Sequence, residues 1–221
     1  MRNKEREDMM KSIKAVCFDL DDTLIRDIHS VMYLSILNNN LDKLMAIEEQ
    51  EMVGHYNWIE ADYMKAELAK GVSLNQIKEQ FEIILKPLKN VKRVMECLHK
   101  RNIKTILITA GPIQVAKVAS ELWGISDYNG SLYECEKNLF TGKIISHLGD
   151  EGKIGALKLF CEAHGIKPEE CMAIGDGSTD IPLFKYCGAS IGINCAEKVA
   201  REATYTLQTE DLMDILSYIR N

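Results

Sequence analysis

The chain has 221 residues, of which 46% are hydrophobic and 27% are charged, and its formal net charge at pH 7 is −6. This length and apolar content predict a globular protein and exclude a disordered chain. An acidic chain lacks the basic surface that nucleic acids require, and no apolar run reaches the length of a transmembrane helix, so we expect neither a nucleic-acid nor a membrane partner.

The N-terminus and the cysteines both favour a cytoplasmic protein. Residues 1–14 mix acids with bases and contain no apolar stretch of signal-peptide length. The seven cysteines form no CxxC pair, their number is odd, and several lie within apolar runs. We therefore expect reduced core thiols, and a solvated tail or a short surface helix over residues 1–12.

The first apolar run is followed by a long helical segment. Residues 15–20 (AVCFDL) end in acids and predict a strand that is buried on both faces. Residues 27–86 contain few strand-forming patterns and carry apolar residues at helical spacing. A crossover between parallel strands needs only about a dozen residues, so this segment is predicted to be an inserted helical cap domain.

From residue 91 onward, helical and strand patterns alternate. The predicted elements are a helix over 91–101, a strand over 103–109, a helix over 115–122, a small hairpin over 130–146, a helix over 153–164, a strand over 171–175, a helix near Pro182, strands over 189–193 and 203–207, and a terminal helix over 210–219. This alternation predicts an α/β core domain, made of residues 13–26 and 87–221, with a Rossmann-like and mostly parallel sheet.

Polar residues follow three of the predicted strands, where open parallel sheets bind their ligands. The three strand ends read Asp19-Leu20-Asp21-Asp22-Thr23, Thr109-Ala110-Gly111 and Gly175-Asp176-Gly177-Ser178-Thr179-Asp180. Lys153 opens the helix before the third of these strands. Four carboxylates at one sheet edge would repel one another unless a cation lay among them, and oxygen donors without a nearby His or Cys pair favour Mg²⁺. The four are Asp19, Asp21, Asp176 and Asp180.

Each of these residues alone has an ordinary structural explanation. Asp180 could cap the helix that contains Pro182, Thr109 could belong to a turn, and Lys153 could be a solvated lysine. It is their joint order on successive strand ends that favours a catalytic site.

The four motifs together resemble those of the haloacid dehalogenase superfamily of phosphohydrolases. FDLDDTL at residues 18–24 is similar to its first motif, LITAG at 107–111 to its second, Lys153 to its third and GDGSTD at 175–180 to its fourth. The helical insert after the first motif resembles the C1-type cap of that family. The C-terminal half looks most like the phosphoserine phosphatase-like subfamily.

The resemblance implies a phosphoric monoester hydrolase that forms an aspartyl-phosphate. Asp19 would be the nucleophile, Asp21 the general acid and then the general base, and Lys153 a cation for the transition state. Mg²⁺ would be held by the carboxylates of Asp19 and Asp176 and by the backbone carbonyl of Asp21. The remaining implied roles are phosphate binding and the orientation of these groups; the residues are Thr109, Ala110, Gly111 and Lys153 for phosphate, and Asp180 and Thr23 for orientation.

The substrate is implied to be a small phosphorylated metabolite, because a closed C1-type cap excludes macromolecules. Two departures from the subfamily pattern bear on phosphoserine: Thr179 stands where asparagine is usual, and residues 28–86 contain no arginine for a substrate carboxylate. Other phosphate esters therefore stay open, including phosphoglycolate, sugar phosphates and nucleoside monophosphates. A phosphotransferase of the same fold and a catalytically silent binding module are the rival classes.

The cap offers three candidate substrate contacts, His55, Trp58 and Tyr63, which could equally pack the cap's own small core. The chain is expected to be a monomer or a homodimer.

Overall fold

The structure is a computed structural model that describes residues 12–219, with the exception of the side chains of residues 150 and 151. The N-terminal extension predicted for residues 1–12 lies outside the described residues, apart from Ser12. The strands of residues 12–219 are β1 (Ala15–Phe18), β2 (Ile25–Arg26), β3 (Lys86–Pro87), β4 (Lys104–Pro112), β5 (Asp127–Glu136), β6 (Leu139–Ser146), β7 (Cys171–Gly175), β8 (Ala189–Ile193) and β9 (Tyr205–Leu207). The α-helices of the same residues are α1 (Ser30–Leu37), α2 (Leu41–Met52), α3 (Trp58–Glu67), α4 (Leu74–Ile84), α5 (Val91–Lys100), α6 (Ile113–Trp123), α7 (Gly149–His164), α8 (Ile181–Tyr186) and α9 (Glu197–Ala200).

Seven of these strands form one sheet in the order β6-β5-β4-β1-β7-β8-β9. Every neighbouring pair is parallel except β5 and β6, which are antiparallel. Helices connect the parallel strands, as the length of such crossovers requires. The predicted α/β class with a Rossmann-like, mostly parallel sheet is confirmed.

Strand β1 lies at the centre of the sheet and is buried on both faces, as predicted. Its neighbours are β4 and β7, and Ala15 pairs with both Lys104 and Cys171. Successive residues of a strand point to opposite faces. Ala15 and Cys17 accordingly pack into one apolar cluster, whereas Val16 and Phe18 pack into the other. The carboxyl ends of β4, β1 and β7 are therefore adjacent on a rigid, buried support.

Residues 27–86 are helical, as their apolar spacing predicted, and contain α1 to α4. They leave the sheet and return to it through the antiparallel pair β2–β3, in which Ile25 faces Pro87. Side-chain capping boxes begin α3 and α4. The Tyr33 hydroxyl donates to the carbonyl of Ile77 at 2.7 Å, which joins α1 to α4. The boundary drawn between the cap domain and the core domain stays a prediction.

The hairpin predicted over residues 130–146 exists, but it is not a small separate unit. Strand β5 begins at Asp127 and also pairs in parallel with β4, so the hairpin extends the main sheet. Lys137 and Asn138 form its two-residue turn with φ values of +49° and +66°. Backbone hydrogen bonds connect the hairpin to the cap, including one from Gly71 N to Phe140 O at 2.8 Å.

Several element boundaries differ from the prediction. Strand β4 continues to Pro112, so Thr109, Ala110 and Gly111 lie within it and do not follow it. Helix α7 begins at Gly149, so Lys153 lies in its second turn and does not open it. Strand β9 is confined to Tyr205–Leu207. The terminal segment is a 3₁₀-helix, Leu212–Ser217, and not the predicted α-helix. Its buried residues, Leu212 and Ile215, are three positions apart, which suits three residues per turn.

The cysteines are core thiols only in part. Cys17, Cys161 and Cys171 are buried, whereas the other four are half-buried. No helix within residues 12–219 has the length and apolarity that a bilayer crossing requires.

Candidate active site

The ends of β1 and β7 place two carboxylates side by side. Asp19 directly follows β1, its backbone N–H donates to the carbonyl of Ile174 in β7 at 2.9 Å, and its side chain is buried. Asp176 directly follows β7 and is half-buried. Because the two strands are neighbours, the sheet alone brings these side chains to one edge.

Lys153 links the helix layer to this edge. Its Nζ donates to Asp19 Oδ1 at 2.7 Å and to Asp180 Oδ1 at 2.8 Å. The lysine is only 1% exposed. Burial alone would lower the pKa of Lys153, but the charges of Asp180 and Asp19 raise it above its ordinary value, so the side chain stays protonated at neutral pH.

Asp180 reaches this cluster because β7 ends in glycine. A Cβ on residue 175 would lie 2.3 Å from Asp180 Cγ, so a larger residue there would displace the carboxylate. Asp180 Oδ2 also accepts a hydrogen bond from Gly177 N at 3.1 Å. Asp180 contacts Lys153 as its predicted orienting role requires.

Three carboxylates and one ammonium leave an excess of negative charge at the sheet edge. Within the described residues, the acidic group that could hold a metal ion consists of Asp19, Asp176 and Asp180, whose ligand atoms lie within 4.8 Å of one another. Burial raises the pKa of Asp19, an effect that Lys153 opposes and the neighbouring carboxylates reinforce. Burial and the charge of Asp180 raise the pKa of Asp176 to about 7. Oxygen donors with excess negative charge match Mg²⁺.

Asp21 lies outside the group of three carboxylates that could hold a metal ion, although its charge still acts on Asp19. Its side chain accepts hydrogen bonds from Ser30 N at 2.6 Å and from Ser30 Oγ at 2.7 Å, at the first residue of α1. Residues in an extended segment two apart point the same way, but here the chain turns directly after Leu20, whose carbonyl accepts from Leu24 N at 2.9 Å. Burial raises the pKa of Asp21, although the charge of His29 and the bonds from Ser30 oppose this effect.

The predicted phosphate-binding residues lie beside Asp21. Thr109 Oγ1 donates to Asp21 Oδ2 at 3.4 Å and accepts from Gly111 N at 2.9 Å. The carbonyl of Ala110 accepts a hydrogen bond from Ser131 Oγ at 2.6 Å, which joins the end of β4 to β5. Thr23 Oγ1 donates to Asp176 Oδ1 at 3.1 Å, as its predicted orienting role requires.

Two of the three cap candidates lie together. Trp58 and Tyr63 pack against His147, with ring centroids 5.1 Å and 5.9 Å away. His147 Nδ1 accepts from Gly149 N at 3.1 Å, so its Nε2 carries the hydrogen that is donated to Asp62 Oδ2 at 3.0 Å. His55 is exposed and hydrogen-bonds with Gln50. A role for these residues in substrate binding stays a prediction.

Sequence reasoning missed Ser30, His29 and His147. His29 caps α1 by accepting from Met32 N at 3.1 Å, and its Nε2 lies 2.9 Å from Glu48 Oε1. The only sequence signal for Ser30 and His29 was their position at the start of the first cap helix. The sequence around His147 carried no signal, because its partners come from α3 and α7.

A sequence model of the haloacid dehalogenase-like hydrolases matches residues 13–188. The chain therefore belongs to the haloacid dehalogenase-like hydrolase family, and the resemblance drawn from the four motifs is confirmed. Phosphoserine phosphatase of Saccharomyces cerevisiae is 25% identical over 205 residues, which cover 92% of this chain and 66% of the yeast protein. Phosphoserine phosphatase of Idiomarina loihiensis is 24% identical over 214 residues, which cover 96% of each chain.

The fold is also that of solved phosphoserine phosphatase structures. A structure described as a phospho-aspartyl intermediate analogue of phosphoserine phosphatase matches with a TM-score of 0.80 at 21% identity, over 95% of this chain and 100% of the other. The family and these similarities confirm the predicted enzyme class, a phosphoric monoester hydrolase.

Proposed function

We propose that this hydrolase is a Mg²⁺-dependent phosphatase that cleaves a small phosphorylated metabolite through an aspartyl-phosphate on Asp19. The observation that carries the proposal is the environment of Asp19. Lys153 holds its Oδ1 at 2.7 Å, while its Oδ2 has no hydrogen-bond partner within residues 12–219. One oxygen is thus fixed and the other is available to attack phosphorus.

In the first step, Asp19 Oδ2 forms a bond to phosphorus as the bond to the leaving alcohol breaks. Lys153 stabilises the negative charge on the phosphoryl group and on Asp19, and it needs no reorganisation because both of its carboxylate partners are buried. The Thr109 hydroxyl and the backbone N–H groups of Ala110 and Gly111 would hold phosphate oxygens, in place of the bonds from Thr109 Oγ1 to Asp21 Oδ2 and from Gly111 N to Thr109 Oγ1.

Asp21 would carry the proton through both steps. It donates the proton to the leaving oxygen, and it then removes a proton from the water that attacks the aspartyl-phosphate. This second step releases inorganic phosphate and regenerates Asp19. The raised pKa of Asp21 supports a residue that must be protonated for part of the cycle.

The residues that would hold Mg²⁺ are the carboxylates of Asp19 and Asp176 and the backbone carbonyl of Asp21. Bound there, the ion supplies positive charge for the phosphoryl oxygens. Asp180 would keep Lys153 in place, and Thr23 would orient Asp176.

Mg²⁺ is expected to raise the melting temperature more at pH 8 than at pH 5.5. The pKa of Asp176 is about 7, above the ordinary value of 3.8, so this carboxyl binds a proton at pH 5.5 that must leave when the metal binds. In the metal-free protein the same raised pKa lowers the contribution of Asp176 to the free energy of unfolding as the pH rises from about 4 to about 7. Thermal melts with and without Mg²⁺ at both pH values measure this.

The matched controls for this prediction are Asp176→Asn and Asp42→Asn, the latter an exposed carboxylate on α2. The first variant should lose most of the Mg²⁺-induced shift and the second should keep it. An equal shift at both pH values in the unaltered protein would contradict the assignment of Asp176 as a ligand.

Phosphoserine is the first substrate to test, because both curated relatives described above are named for it. The cap offers only a modest site for a substrate carboxylate. Lys65 is buried, donates to Glu51 Oε2 at 2.6 Å and lies 3.9 Å from Asp62 Oδ1, so a substrate carboxylate would compete with two acids. Other small phosphate esters are therefore alternatives of the same reaction class.

The test is phosphate release with Mg²⁺ from a panel of phosphate esters, run beside Asp19→Asn. The panel contains phosphoserine, phosphoglycolate, glycerol phosphate, sugar phosphates, nucleoside monophosphates and pyridoxal phosphate. We expect one ester to be hydrolysed much faster than the others by the unaltered protein and not to be hydrolysed by Asp19→Asn. If phosphate release from phosphoserine stays at the background rate while another ester is hydrolysed, the assignment of phosphoserine as substrate fails and the assignment as a phosphatase stands. No hydrolysis by folded protein that binds Mg²⁺ would contradict the phosphatase and favour a phosphotransferase or a binding module.

A further inference from the structure

The two shortest hydrogen bonds to the carboxylate of Asp21 come from Ser30, the first residue of α1. Ser30 N donates to Asp21 Oδ1 at 2.6 Å, and Ser30 Oγ donates to Asp21 Oδ2 at 2.7 Å. Each oxygen thus has its own donor, and Ser30 is completely buried. Two short bonds to separate oxygens fix both the position and the rotation of the carboxylate plane.

The space for the Ser30 hydroxyl exists because residue 111 is glycine. A Cβ on residue 111 would lie 2.2 Å from Ser30 Oγ and 3.1 Å from Asp21 Oδ2. The Thr109 hydroxyl approaches the same Asp21 oxygen at 3.4 Å. The end of β4, the start of α1 and Asp21 therefore meet at one tightly packed point.

The bonds from Ser30 leave room for the proton that Asp21 must transfer. Each carboxyl oxygen has two lone pairs, and among the described residues Oδ1 accepts a hydrogen bond from Ser30 N alone. Its second lone pair can therefore carry the proton while Ser30 keeps the side chain in place. Nothing else among the described residues bonds both oxygens of this side chain.

We infer that Ser30 is the positioning residue that aims Asp21 at the leaving oxygen. The inference rests on the proposed role of Asp21 as the proton donor. Since Ser30 begins α1, it also makes the aim of Asp21 depend on the placement of the first cap helix over the end of β4. Ser30 itself touches neither the phosphorus nor the leaving group in this scheme.

The test is the dependence of kcat/KM on the leaving group in Ser30→Ala. Alkyl esters such as phosphoserine and glycerol phosphate need a proton on the departing oxygen, whereas p-nitrophenyl phosphate releases a stabilised phenolate that does not. Because kcat/KM reports only the steps up to the first product release, it excludes the later attack by water. We expect kcat/KM to fall about 10- to 100-fold for the alkyl esters and less than about threefold for p-nitrophenyl phosphate.

The matched control is Ser35→Ala. Ser35 is also buried on α1, but its hydroxyl donates at 3.1 Å to Val31 O within the same helix. This variant should leave the ratio of the two kcat/KM values unchanged. Ser30→Cys, of similar size with a weak donor, replaces Ser30→Ala if thermal melts show that the alanine variant does not fold.

The outcomes separate this inference from the proposed function. A drop in the alkyl-to-aryl ratio of about tenfold or more in Ser30→Ala supports the inference. An unchanged ratio in an active enzyme, whether both activities fall together or neither falls, overturns it and leaves the phosphatase in place. If the unaltered protein hydrolyses neither kind of ester, or if Asp19→Asn hydrolyses them as fast, the proposed function fails and the role of Ser30 fails with it.

Discussion

Replacing Asp19 by asparagine is expected to lower phosphate release from the best substrate by at least about a thousandfold. An amide oxygen carries no formal charge and is a poor nucleophile, while the side chain keeps almost the same shape. The Lys153 ammonium retains its bond to Asp180 at 2.8 Å, so the core around the site keeps one ion pair. Phosphate release and a thermal melt of the same preparation measure the two effects separately.

The matched control for Asp19→Asn is Asp42→Asn, which removes an exposed carboxylate from α2 and should leave turnover unchanged. Trapping with acid should detect phosphate bound to the unaltered protein during turnover and none bound to Asp19→Asn. Residual turnover at a tenth of the original rate would contradict the covalent mechanism. Lys153 holds one other described carboxylate, Asp180, and both oxygens of Asp180 are already hydrogen-bonded.

The sequence was sufficient for those features that depend on the sheet. The sequence predicted that Asp19 and Asp176 lie at one edge of the sheet, because the carboxyl ends of parallel strands lie on the same side. The structure adds that β1 and β7 are neighbours. The same reasoning placed Thr109 at this edge, where it contacts Asp21. The helical character of residues 27–86 followed from apolar spacing, which needs no knowledge of tertiary contacts.

Features that depend on distant side chains could not be predicted. The direction of Asp21 is decided by Ser30, nine residues away and on another element, and by the absence of a side chain at Gly111. The parallel pairing of β5 with β4 was missed because a hairpin pattern specifies its own turn but not its outer neighbour. His147 gains its partners only when α3 lies over the start of α7.

Replacing Lys153 by methionine is expected to lower the free energy of unfolding of the metal-free protein by about 3–5 kcal/mol, because two buried carboxylates lose their common cation. The raised pKa of Lys153 means that its contribution is complete below about pH 10 and is lost only as the pH rises further. The loss should therefore be fully present at pH 7. Denaturant unfolding at pH 7 measures it, and turnover should fall by at least about a hundredfold as well.

Lys158→Met is the matched control for this variant, since Lys158 is exposed on the same helix and only approaches the ring of Tyr186 at 5.5 Å. Its removal should change the free energy of unfolding by less than about 1 kcal/mol. Mg²⁺ should reduce the loss in Lys153→Met, because a bound cation supplies Asp19 with another partner of opposite charge. If Lys153→Met lowers the free energy of unfolding no more than Lys158→Met does, then Lys153 does not balance the buried carboxylates. Its proposed role in stabilising charge on Asp19 would then be wrong as well.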